Sequence, residues 1–100
     1  MKNTLDIKSQ HLKIIQQILK KYLPPQTTVW VFGSRAKGTA KKFSDLDLAI
    51  DAGNPLSAEI LADLANAFDE SILPYKVDIV DWITLEGSFR ENIRDDRITL

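Results

Sequence analysis

Residues Val29 to Ile50 read VWVFGSRAKGTAKKFSDLDLAI, and the order of residue types in this stretch decides the fold. Thr27 to Phe32 is a β-branched and aromatic run, the composition of a short strand buried on both faces. Gly33-Ser34 breaks it, a brief helical segment SRAK follows, and Gly38 closes that segment. KGTAKK is an exposed loop. From Asp45 to Ile50 a second strand alternates, with Leu46, Leu48 and Ile50 on one face and Asp45 and Asp47 on the other.

Working outward, Leu12, Ile15, Ile18, Leu19 and Tyr22 recur at spacings of three and four, with Ile14 beside them. They predict a helix over Ser9 to Leu23, ended by Pro24 and Pro25. His11, the only histidine, is expected on the surface of that helix with no role. Downstream, Ser57 is placed to N-cap a helix whose core stripe is Ile60, Leu61, Leu64, Ala65, Phe68 and Ile72, with Pro74 as its limit. Tyr75 to Val80 (YKVDIV) reads as a third strand, with Val77 and Ile79 on one face and Asp78 on the other. A weaker helix is expected from about Thr84 to Ile93, with Gly87 inside it. The alternation of helices and strands makes an α+β domain in which a small sheet carries its helices on one face.

A chain of 100 residues suffices for one core, so residues 1–100 are read as one domain. Hydrophobic residues at 44% and charged residues at 27% are globular values and argue against disorder. The net charge of −1 argues against a dedicated nucleic-acid binder, which needs a basic face. No cysteine is present, so disulfides, thiol chemistry and cysteine-held zinc are excluded. MKNTLDIKSQ lacks the apolar core of a signal peptide and no run approaches a membrane span, so the expected location is the cytoplasm.

Asp45 and Asp47 leave one face about 7 Å apart along the strand, and Asp78 on another strand can complete a cluster of three. Like charges gathered this way repel, so such a cluster implies cations, shared protons or basic neighbours. Hard oxygen ligands favour Mg²⁺ or Mn²⁺, and Mg²⁺ binds through a few carboxylates plus the phosphates of a substrate. Gly33 lets a backbone approach closely, Ser34 adds a hydroxyl, and Arg35 or Lys37 adds charge. Two ions held this way serve phosphoryl or nucleotidyl transfer. Each part alone has a plainer reading: a turn, a capped edge strand, a solvated strand position. Asp51 fits a turn, Asp81 has the opposite strand parity to Asp78, and Lys41 and Lys42 read as loop charges. Trp30 and Trp82 read as core or interface residues.

In the order GSRAKG, SDLDLAI, VDIV, the sequence resembles the nucleotidyltransferase superfamily typified by DNA polymerase β, and most of all its minimal bacterial and archaeal members. The resemblance implies that fold, with a small mixed sheet. It makes Gly33 and Ser34 the phosphate-binding turn, Asp45 and Asp47 the paired metal ligands, and Asp78 a third ligand that draws the proton from the acceptor hydroxyl. Arg35 fits the frequent Gly-Ser-Arg form, and Lys37 stands where arginine is common. Relatives that modify antibiotics or extend nucleic acids carry further domains for the acceptor, and none is expected here.

The resemblance further implies a Mg²⁺-dependent transfer of a nucleoside monophosphate, AMP from ATP, to a partner protein. Minimal members accompany a helical HEPN-type protein as antitoxin to toxin, the acceptor being a tyrosine of the toxin. A homo- or hetero-oligomer is expected, with neither membrane nor direct nucleic-acid binding. Two alternatives accompany this expectation. One is a nucleotide-binding antitoxin or scaffold that acts by contact alone; the other is a small-molecule, aminoglycoside-type transferase completed by a partner subunit.

Overall fold

In the computed structural model, which describes residues 5–100, the backbone forms a four-stranded sheet in the order β3-β2-β1-β4. The first four residues of the stretch read for a leader lie outside the described residues. Along the chain come α1 (Ser9–Tyr22), β1 (Thr28–Phe32), α2 (Ser34–Lys37), β2 (Leu46–Asp51), α3 (Ala58–Asp69) and β3 (Val77–Asp81). A 3-10 turn (Trp82–Thr84), α4 (Gly87–Asp96) and β4 (Ile98–Thr99) complete it. β2 runs antiparallel to β1 and parallel to β3, so the sheet is mixed. No helix among the described residues is long and apolar enough to cross a membrane.

Register follows from the alternation in β2. Leu46, Leu48 and Ile50 are fully buried and share one core with Ile15 and Leu19 of α1, Leu64 and Phe68 of α3, and Val29 and Val31 of β1. Each such side chain contributes about 1.5–3 kcal/mol by leaving water. A slip of one residue would turn this set out and the acids in, which holds the register. Ser57 caps α3, its hydroxyl accepting the Ile60 N–H at 3.1 Å.

The opposite face of the sheet is divided. At one end Ala49, Trp82 and Ile93 form a second cluster with Trp30, Phe32 and Val80 against it, so α4 and the 3-10 turn cover that part. The strand β1, expected to be buried on both faces, therefore has Val29 and Val31 buried but Trp30 and Phe32 only half-buried. The other end carries Asp47 and Asp78.

Two expectations change, and one strand is added. Gly87 is the first residue of α4 and not an interruption within it, because the chain first makes the 3-10 turn, which Asp81 caps. Ile72 lies beyond the end of α3 and is 82% exposed, and Ala65 faces solvent too, so the buried stripe comes down to Leu64 and Phe68. The short β4 pairs Ile98 with Val31 and Thr99 with Trp30, a strand too brief for periodicity to show.

Candidate active site

Gly33 joins β1 to α2 with φ 75° and ψ −154°, a conformation open to glycine and strained for other residues. Its carbonyl accepts the N–H groups of Ala36 and Lys37, both at 3.1 Å, which starts the helical turn at Ser34. A Cβ at this position would also run into the Oδ2 of Asp47. The glycine thus serves a turn and makes room for a carboxylate.

Asp47 lies opposite Phe32 on β1 and opposite Asp78 on β3. The three side chains form one row across that end of the sheet, the antiparallel neighbours Phe32 and Asp47 about 4.5–5.5 Å apart at Cβ. Asp45 precedes β2 and is exposed. Burial holds the Asp47 carboxyl above its ordinary range, and the charges of Asp78 and then Asp45 push it further the same way. The Asp47 carboxyl is thus the point where the three acids meet. Lys76 approaches Asp78 at 3.6 Å, but both side chains are largely in water and such a pair contributes little.

The three acids are not closed into a cage. Among the described residues no three acidic or imidazole side chains are gathered tightly enough to hold a metal ion by themselves. A cluster that repels itself and leaves coordination open suits Mg²⁺, which takes its remaining ligands from water and phosphate. The donor set is all oxygen, and it fits that ion.

Arg35 does not join the row. It is buried, and its guanidinium donates to the carbonyls of Ser44 (3.0 and 2.8 Å), Asp6 (2.9 Å) and Lys42 (3.2 Å). It also stacks 3.9 Å from the Tyr75 ring centre. The expectation that it binds nucleotide is corrected: Arg35 clamps the loop ending at Ser44, the residue before Asp45. Nothing in the sequence marks this, since its acceptors are main-chain carbonyls. Lys37 pairs with Asp96 at 3.4 Å and stays half-exposed beside the turn. His11 is corrected as well: it is half-buried, and its Nδ1 lies 3.1 Å from the Tyr75 hydroxyl across 64 residues of sequence. Asp81 accepts the N–H groups of Leu56 (2.8 Å) and Ile83 (3.3 Å), a structural role away from the row.

A concavity adjoins this arrangement at Asp78. A groove of about 340 Å³ follows the outer edge of β3 beside α3 and reaches Asp78, lined also by Leu61, Ala65, Lys76 and Ile79. Another of about 400 Å³, between the end of α1 and the start of β1, contains no acid and offers no comparable chemistry.

Residues 13–100 match the family described as Polymerase beta, Nucleotidyltransferase. The chain is 54% identical over 90 residues to a Haemophilus influenzae protein named "Probable protein adenylyltransferase MntA", covering 90% of this chain and 78% of that one. Among solved structures, a toxin-antitoxin complex with AMP-PNP has a chain that superposes with a TM-score of 0.74 at 25% identity, covering 87% of this chain and 69% of that one. A mutant of the toxin-antitoxin complex MntA-HpeT likewise has a chain that gives 0.74 at 27% identity, over 93% and 72%.

Proposed function

The chain belongs to the polymerase β nucleotidyltransferase family, and from that premise we propose that it is a Mg²⁺-dependent protein adenylyltransferase. It moves AMP from ATP to a hydroxyl of a partner protein, a tyrosine of a helical HEPN-type toxin. The observation that carries this reading is the placement of Asp47, with Gly33 against its carboxylate and Asp78 beside it in register. The relative named a protein adenylyltransferase supports AMP as the group moved, and the toxin-antitoxin complex with AMP-PNP supports a toxin as partner.

In this reading the turn at Gly33 and Ser34 receives the β- and γ-phosphates, with the Ser34 hydroxyl as a donor. Lys37 exchanges Asp96 for the nucleotide's charge. Asp45, Asp47 and Asp78 would hold the metal, Mg²⁺ or Mn²⁺, which would supply neutralisation of the phosphate charge and a more acidic acceptor hydroxyl. Asp78 takes the acceptor's proton as the hydroxyl oxygen bonds to the α-phosphorus, and the bond to the β-phosphate breaks to release pyrophosphate. The groove along β3 gives the acceptor an open approach to Asp78.

Incubating the protein and its partner with α-labelled ATP and Mg²⁺ is expected to label the partner. Asp45→Asn or Asp47→Asn should lower labelling by at least about a hundredfold. Labelling that survives either substitution would sink the assignment.

A further inference from the structure

Phe89, in the first turns of α4, remains 43% exposed, although the helix around it is firmly held. Ile93 is buried with Trp82 and Ala49, and Arg90 donates to the carbonyls of Trp82 (3.0 and 2.7 Å) and Ile83 (3.0 Å). The Phe89 ring meets Phe32 edge to face, centroids 6.4 Å apart at 89°. Phe32 in turn stands directly opposite Asp47. The row of acids is thus continued, on the same face, by a rigid aromatic pair with one ring open to solvent.

We propose that Phe89, backed by Phe32, is the wall on which the base of the bound nucleoside triphosphate stacks, and that this wall does not read the edge of the base. The inference rests on the nucleotide reading of the acid row. A lone exposed phenylalanine needs no explanation, but this one adjoins the place where the phosphates would bind. Every base has a π-face, so stacking holds all of them, the larger purines best. The guanidinium beside Phe89 in sequence, that of Arg90, is engaged on carbonyls, while those of Arg94 and Arg97 lie over the Trp82 and Trp30 rings. ATP and GTP should therefore bind within about tenfold of each other, the discrimination lost when no hydrogen bond reads the base.

Calorimetric titration of the full chain with MgATP, MgGTP and Mg-tripolyphosphate tests this, since tripolyphosphate has no base. Phe89→Ala should weaken both nucleotides about tenfold or more and leave tripolyphosphate unchanged, and Phe89→Trp should restore nucleotide affinity. The proposal is overturned if Phe89→Ala leaves ATP unaffected, if tripolyphosphate weakens in parallel, or if GTP binds a hundredfold worse than ATP. Wild-type protein that binds none of the three would instead overturn the nucleotide reading beneath it.

Discussion

At Gly33 two independent demands fall on one atom position. The positive φ strains any side chain, and the Asp47 carboxylate occupies the space a Cβ would need. Gly33→Ala should cost about 1–3 kcal/mol, read as a lower denaturant midpoint, and should shift Asp47 enough to impair activity as well. Asp47 itself is held above its ordinary range by burial, Asp78 and Asp45. The folded protein therefore binds that proton more readily than the unfolded chain, and stability is lost as pH rises from about 4, the unfolded value, through the raised folded one. Asp47→Asn should raise the Tm of the metal-free protein by a few degrees at neutral pH, and the gain should shrink to nothing below about pH 4. Thermal melts across pH check the sign. Replacing Arg35 by Met leaves the carbonyls of Asp6, Lys42 and Ser44 without their donor. A loss of about 2–4 kcal/mol in denaturant unfolding is expected. The acids were legible because strand parity aims a side chain; the role of Arg35 was not, because a guanidinium reaches main-chain carbonyls that composition does not mark.

Elements were legible in proportion to their length and periodicity. The stripe of α1 and the capped start of α3 give complete signals: α1 lies where the spacing puts it, and α3 begins at its cap. The stripe of α3 was read one turn too far. Ile72 keeps the spacing, but the helix ends at Asp69 and the side chain turns outward. Ile72→Ser should change stability by no more than about 0.5 kcal/mol, whereas Leu64→Ala, from the same apparent stripe, should cost about 2–5 kcal/mol. Paired denaturation curves separate the two. Near the C-terminus the signal weakens for a physical reason. Asp81 diverts the chain into a 3-10 turn through its bond to the Ile83 N–H, and two residues of β4 are too few to alternate.

The whole molecule is organised by the two faces of its sheet. α1 and α3 pack on one face, and α4 covers only part of the other, so one end of that second face remains for the acids, the glycine turn and Phe89. This division explains how a chain with a net charge of −1 can place three carboxylates together: their desolvation is partial, and one side of the row stays open. In the proposed reaction the acceptor approaches along the free edge of β3. The intact mass of the partner protein, after incubation with ATP and Mg²⁺, reads the central claim directly. The account predicts a gain of one or more AMP units with the wild-type chain and none with Asp47→Asn, even where the two proteins still associate. A partner left unmodified by the wild-type chain yet silenced by contact, or one modified equally by Asp47→Asn, would contradict it.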